Sequence, residues 1–324
     1  MQIIEVKQNW PNNYFRIDLS VGNICNFKCW YCPPGLNEGT YKWPDYDIFV
    51  RNVSHLFDYY AEHLGKNKFI INLVGGEPTH WKQFIKFVKH FKEHYDCTFT
   101  MHTNASKKLD WWAEAAPYLD SVSISHHEKF ADRVHNRDVA DLLYEYKVLP
   151  NIQVMMDPTD WDNCIASIEY FKGSRHRWTI RPGEVRHQNV LYTAEQNELL
   201  MQARVRSTNP IFFFMNNKSL VSKTQIVDTT GKSHTVDAHR IVLDRINKFN
   251  GWECNLGIDW LDARPDGSLG GSCQNNLFNQ STRYNILDSN FPEKFQPELI
   301  PTICHTNDCW CAFDAAMPKK NATN

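Results

Sequence analysis

From residue 15 to residue 181 the chain alternates between short apolar runs and amphipathic stretches, and this alternation limits the fold more than any other feature. Residues 15–20, 69–74, 97–103, 121–125, 152–156 and 178–181 predict strands, the last closing at Pro182. Between them, 46–64, 81–95, 109–119, 139–149 and 161–171 predict helices. The first carries Phe49, Val53, Leu56, Phe57 and Tyr60 on one face, and the second repeats Trp81, Phe84, Ile85, Val88, Phe91 and Tyr95 at helical spacing. Six strands joined by five helices imply an α/β fold with a parallel sheet and right-handed crossovers.

Beyond residue 185 the pattern loosens. A helix is predicted over 193–205, an apolar run over 211–214, and a hairpin over 222–236 turning at Thr230-Gly231. A helix through Ile241, Val242, Ile246 and Phe249 should stop at Asn250-Gly251. Residues 258–263 read as a strand leading to the turn Pro265-Asp266-Gly267. No internal repeat accompanies the alternation, and 319–324 read as a short polar tail. Three segments result: a barrel-like region 1–185, a connecting helix and hairpin region 186–250, and a small cysteine-rich domain 251–324.

The chemistry is concentrated in cysteine. Of the ten cysteines in the 324 residues, eight fall into two groups, 25–32 and 254–311. A chain with 42% hydrophobic residues has core enough without disulfide staples, so metal binding in a reducing compartment is the better reading. Cys97 and Cys164, in a predicted strand and helix, read as inert buried thiols. The first group, Cys25-Asn-Phe-Lys-Cys29-Trp-Tyr-Cys32, offers three thiolates and no fourth. Soft thiolates on a short loop suit an iron–sulfur cubane, and three of them leave one iron open. A zinc knuckle is the alternative, although its sites are usually closed by a fourth ligand.

At this motif, with Tyr31 before the last cysteine and Gly75-Gly76-Glu77-Pro78 at the end of a predicted strand, the chain resembles the radical S-adenosylmethionine (radical SAM) superfamily. Alone, Gly-Gly-Glu-Pro would pass for an ordinary turn. The resemblance implies a partial (β/α)6 TIM-like barrel with a small C-terminal cluster-binding extension. It implies a 4Fe–4S cluster on Cys25, Cys29 and Cys32 whose open iron chelates S-adenosylmethionine. One electron then cleaves the sulfonium, and the resulting 5′-deoxyadenosyl radical abstracts hydrogen from the substrate. Cofactor contacts are expected from Tyr31, Gly75, Gly76 and Glu77, and from Asn104, Ser125 and Arg181 at later strand ends, the face where parallel α/β folds bind ligands. Arg181 has a plainer reading as the partner of Glu184. His126 and His127 are either cavity-facing or solvent-exposed loop residues, and His80 is a weaker candidate.

The second group, Cys254, Cys273, Cys304, Cys309 and Cys311, is similar to the twitch/SPASM-like auxiliary-cluster extensions of that superfamily, and five cysteines favour the one-cluster twitch form. One cysteine is surplus. A zinc site with His305 as a further ligand is the alternative. The resemblance implies a second 4Fe–4S cluster that accepts an electron from a substrate radical.

Composition trims the remaining options. A net charge of −2 without a basic run argues against a nucleic-acid partner, and no run is long enough for a membrane span. The N-terminus has no signal-peptide pattern, so a cytoplasmic location is expected. The expected function is a radical SAM oxidoreductase acting on a small polar metabolite, supplied with electrons by a flavodoxin or ferredoxin-type donor. The rivals are a peptide (RiPP-type) maturase and a zinc-stabilised non-catalytic binding protein. Only about a dozen residues precede the first predicted strand, which counts against a built-in leader-peptide module.

Overall fold

The computed structural model describes residues 2–7, 11–33, 35–176, 178–185, 190–204, 223–270, 284–309 and 312–321. The chain begins with β1 (Ile3–Lys7) and β2 (Tyr14–Ser20) and passes through α1 (Tyr46–Leu64) to β3 (Lys68–Val74). The strand–helix step then repeats: α2 (Phe84–His94), β4 (Cys97–Thr103), α3 (Leu109–Ala115), β5 (Ser121–His126), α4 (Arg133–Glu145), β6 (Leu149–Met156), α5 (Trp161–Lys172), β7 (Thr179–Glu184) and α6 (Ala194–Arg204). Shorter elements follow: β8 (Lys223–Asp228), β9 (Ser233–Asp237), α7 (Ala238–Leu243), β10 (Trp252–Cys254), β11 (Trp260–Ala263) and β12 (Leu269–Gly270). The described chain ends with α8 (Phe291–Lys294), β13 (Thr302–Ile303), α9 (Ala312–Ala316) and β14 (Lys319–Asn321).

Two compact units interleave in sequence, one of residues 19–44 and 71–217, the other of 1–18, 45–70 and 218–324. In the first, β4, β5, β6 and β7 are sheet neighbours in sequence order and pair in parallel. Among the described strands β7 is an edge and the sheet stays open, as a partial barrel requires. One strand parity is apolar and buried: Phe99 and Met101, Val122 and Ile124, Ile152 and Val154. The other parity is polar and only partly buried, with Thr100, Ser123, Ser125, Asn151, Gln153 and Arg181. The expected stop at Pro182 is not observed: β7 runs on to Glu184, with Pro182 paired to Val154. A proline without an N–H is tolerated because this strand lies at the sheet edge.

α4 also starts earlier than its apolar spacing suggests. Asp132 caps it, accepting from Val134 N at 2.7 Å and His135 N at 3.3 Å. The chain then turns at Lys147, which has φ 65°, and enters β6 at Leu149.

In the other unit β11 pairs antiparallel with β12. A second sheet has the order β13-β10-β14-β1-β8-β9, with antiparallel pairing throughout. Its core gathers Ile3, Val6, Ile226, Ile241, Phe249 and Trp252. The hairpin turn falls where expected, with Gly231 at φ 82°. The strand expected over 258–263 is shorter, Trp260–Ala263, because Ile258 and Asp259 lie in a turn, and the Pro-Asp-Gly turn follows with Gly267 at φ 83°. The helix expected to reach residue 249 ends at Leu243, where Arg245 takes φ 55°. The start of the polar tail is a strand instead: Lys320 pairs with both Glu5 and Glu253, and Lys319 is buried. The 211–214 run lies outside the described residues. Among the described residues no helix is long and apolar enough to cross a membrane.

Candidate functional site

The loop after β2 is held at both ends before any ligand is considered. Val21 N donates to Val74 O at 3.3 Å, Gly76 N to Gly22 O at 3.2 Å, and Glu77 N to Ile24 O at 2.8 Å. This zipper explains the two glycines. A Cβ on Gly75, which has φ 120°, would lie 2.4 Å from Gly22 O, and one on Gly76 would lie 2.2 Å from Ile24 O. Asn23, fully buried, closes the loop from inside. Its amide donates to Gly35 O at 2.7 Å and accepts from Tyr41 N at 2.8 Å, and its backbone carbonyl accepts from Gly39 N at 3.1 Å.

Three further strand ends grip the cysteine loop. After β4, Asn104 donates to Asn26 Oδ1 at 2.9 Å and reaches Cys25 Sγ at 3.9 Å, while Asn26 donates to Ser106 Oγ at 3.1 Å. After β5, His127 Nδ1 lies 2.8 Å from Tyr31 Oη and 3.3 Å from Cys29 Sγ. After β6, Asp157 accepts from Trp30 Nε1 at 2.9 Å.

Glu77, just after β3, ties that strand end to the end of β4. The buried carboxylate accepts from Thr79 Oγ1 at 2.7 Å, Thr79 N at 3.2 Å, Thr103 Oγ1 at 2.6 Å and Asn104 N at 2.6 Å. Burial pushes its pKa up while these donors pull it down. Its main structural task is thus to fix Asn104.

The thiols carry a clear electrostatic signature. Burial pushes Cys29 up to about 12, with the charges of Cys25 and Cys32 adding to it, and pushes Cys32 up to about 11 with Cys25 adding. Cys25 is raised by burial too, although Phe27 N donates to its sulfur at 3.4 Å. Three thiols close enough to oppose one another's ionisation are a poor set of free thiolates. Ligated to iron, they lose their protons and gain a compensating charge, so the donor set fits a cluster. Among the described residues no three His, Cys, Asp or Glu side chains converge on a single-ion site. A cubane asks instead that each thiolate meet its own iron.

The two adjacent histidines part company. Strand alternation sends His126 into the helix layer, fully buried, where its ring lies 3.1 Å from Asn136 Nδ2, 3.2 Å from Glu128 Oε2 and 3.3 Å from Ser167 Oγ. Burial opposes ionisation of Glu128, but hydrogen bonds from His126, Ser167 and Arg133 outweigh it and hold the carboxyl at about 2. His127 faces the cysteines, and burial, with His126 adding, holds it down at about 4. His80 stays at the rim, 3.4 Å from Ser106 Oγ.

Ser125 and Arg181 sit on one polar row. Ser125 pairs in register with Gln153, and Gln153 with Arg181, whose Nη2 donates to Gln153 Oε1 at 2.8 Å. Gly183 leaves the room that the Gln153 side chain fills, since a Cβ there would lie 2.3 Å from its Nε2. One step back, Asn151 donates to Ser123 Oγ at 3.0 Å, and its own Oδ1, buried, accepts no hydrogen bond from the described residues. The sequence reading missed Asn23, Ser123, Asn151 and Gln153. Strand parity was the one signal that could have found the last three.

In the other unit Cys254, Cys304 and Cys309 are buried. The Cys304 and Cys309 sulfurs share a hydrogen bond, which brings Cys304 down to about 5 against burial and drives Cys309 far up. Buried Lys319 donates to Asp314 O, lies 3.8 Å from Cys309 Sγ and stacks 4.3 Å over the Phe249 ring. Cys273 and Cys311 lie outside the described residues. Cys97 and Cys164 are buried as expected, and burial pushes both up to about 12.

Comparison with known proteins bears on the family and the fold. Residues 19–148 match the Radical SAM superfamily. GTP 3',8-cyclase of Haemophilus influenzae (strain PittEE) is 36% identical over 80 residues, 25% of this chain and 23% of that protein. GTP 3',8-cyclase of Photorhabdus laumondii subsp. laumondii is 25% identical over 216 residues, 60% of this chain and 61% of that protein. The matched region thus spans about a quarter of the first relative's length and under two thirds of the other's. The solved structure of anSMEcpe with bound AdoMet superposes with a TM-score of 0.52 at 16% identity, covering 88% of this chain and 78% of that one, a likeness of fold.

Proposed function

We propose that this chain, which carries a radical SAM domain, reductively cleaves S-adenosylmethionine and uses the product radical to oxidise or rearrange a small polar metabolite. In this reading Cys25, Cys29 and Cys32 hold a 4Fe–4S cluster, which supplies the electron and an open iron for the methionyl amino and carboxylate groups. Gly75, Gly76, Tyr31, Asn104, Ser125 and Arg181 line the cofactor position, with Glu77 holding Asn104 in place. The observation that carries the reading is that four strand ends grip one three-thiol loop.

The polar row favours a small, hydrogen-bonding substrate. Arg181 offers a guanidinium for an anionic group, Asn151 an open acceptor, and Ser125 a hydroxyl on the same sheet face. GTP, named in the relatives, is the first substrate to try. For a net two-electron oxidation, the deoxyadenosyl radical takes one hydrogen atom from the substrate. The substrate radical then gives up an electron and a proton. A second cluster on cysteines drawn from Cys254, Cys273, Cys304, Cys309 and Cys311 would accept that electron, and a flavodoxin or ferredoxin-type protein would supply the first one.

The test is anaerobic reconstitution, iron and sulfide counts, dithionite reduction and detection of 5′-deoxyadenosine by mass spectrometry. The reading expects about eight irons per chain and S-adenosylmethionine cleavage. Zinc in place of iron, with no cleavage, would sink it.

A further inference from the structure

We propose that His127 and Tyr31 form a hydrogen-bonding pair on the Cys29 sulfur that raises the reduction potential of a cluster bound there. The inference rests on the radical SAM reading and concerns only this chain's residues. Cys29 Sγ, Tyr31 Oη and His127 Nδ1 form a compact triangle: 3.3 Å from sulfur to nitrogen and 2.8 Å from nitrogen to oxygen. Burial pushes the Tyr31 hydroxyl up, and the neighbouring Cys29 sulfur adds to it. The imidazole is fixed by stacking on Tyr31, with centroids 5.8 Å apart and planes at 17°, and by the edge of Phe27 at 5.9 Å. Phe27 in turn stacks on Phe130 at 5.5 Å.

Proton counting decides the direction of these bonds. In the free protein the Cys29 thiol carries its own hydrogen and can donate. Once the sulfur is bound to iron that hydrogen is gone, so every remaining bond to it must be donated by Tyr31 or His127. Reduction places extra negative charge on the cluster and its sulfurs, and donors aimed at a sulfur stabilise the reduced form more than the oxidised one. The other two thiols differ. Cys25 receives a backbone N–H and a long contact from Asn104, so among the described side chains the imidazole and phenol are reserved for Cys29.

The experiment is a redox titration of the reconstituted full chain followed by electron paramagnetic resonance, comparing wild type with His127→Phe, His127→Asn and Tyr31→Phe. Exchangeable-deuteron couplings are recorded on the reduced forms. The midpoint potential of the site cluster should move to more negative values in His127→Phe and Tyr31→Phe, with loss of a deuteron coupling in each. His127→Asn, which keeps an N–H donor, should stay nearer wild type. Unchanged potentials in both His127→Phe and Tyr31→Phe would overturn the proposal, as would loss of iron from all three variants, which would mark a role in retaining the cluster. A wild-type chain that binds no iron would instead defeat the radical SAM reading itself.

Discussion

The two cysteine groups solve the same problem in opposite ways. Cys25, Cys29 and Cys32 lie within one loop, and its shape comes from hydrogen bonds to strand ends rather than from the sulfurs. Cys254, Cys304 and Cys309 are brought together from distant parts of the sequence by a sheet of short strands, and a buried ammonium, Lys319, stands among them. The first group is a pre-shaped loop whose thiols repel one another. The second is a packed core whose thiols share a proton and a neighbouring positive charge. Metal at the first should change chemistry while leaving the fold intact. A metal at the second, where the proposed ligands are core residues, should be coupled to folding.

Four experiments can break or sharpen this contrast. The largest effect is expected from replacing Cys25, Cys29 and Cys32 together by Ala. S-adenosylmethionine cleavage should vanish and iron should fall by about four per chain, while thermal unfolding of the apo-protein stays within a few degrees of wild type. A collapse of the apo-fold would contradict a loop shaped independently of its thiols.

Gly76→Ala comes next. Its Cβ would lie 2.2 Å from Ile24 O, and forcing the zipper apart should destabilise the apo-protein by about 2–3 kcal/mol in urea unfolding and release the loop's iron. Wild-type stability would show that the glycine is dispensable there.

Glu128→Gln tests the buried network behind His127. The folded carboxyl sits at about 2 against an ordinary 4.5, so its contribution is present above pH 4.5 and lost as pH falls towards 2. The variant should be less stable by about 2 kcal/mol at neutral pH, allowing for solvent screening, and the gap should close over that acid range. A gap independent of pH would rule out the ionised carboxylate as its source.

Lys319→Met should have the smallest effect on stability, about 1 kcal/mol by denaturant titration. It should reduce iron at the C-terminal group alone, leaving S-adenosylmethionine cleavage intact. Equal iron loss from both groups would erase the distinction.

Much of this was legible in the residues. α1 and β4 fall on their predicted bounds, because each carries an unbroken period and a clear stop. The thiol loop and Gly75-Gly76 declared themselves by spacing, although the reason for the glycines is the Gly22–Ile24 backbone. β1 was missed for a physical reason: a register shift between Ile3 and Glu5 breaks its alternation, leaving Ile3 and Val6 as the buried pair. β10, β13 and β14 have two or three residues each, too few to show a period. Asn23 could not be read because its partners lie across a loop, and the sequence leaves His127 open between cavity and solvent because its partners lie on the cysteine loop. Glu77 was read as a cofactor contact, and its four protein donors became visible only once β3 and β4 stood side by side.

Asn23 has a consequence for the timing of maturation. Its side chain and carbonyl lock the loop 23–41 with three bonds to Gly35, Tyr41 and Gly39, none involving sulfur. A newly synthesised chain can therefore mould its first receptacle before any iron arrives, and delivery can wait until translation is over. If the packed C-terminal thiols hold the second cluster proposed above, they set the opposite schedule, since core residues would have to receive metal before or while the sheet closes around them. Iron starvation should thus leave two different products: a folded apo-loop that can be filled later, and a C-terminal unit that has already settled around Lys319.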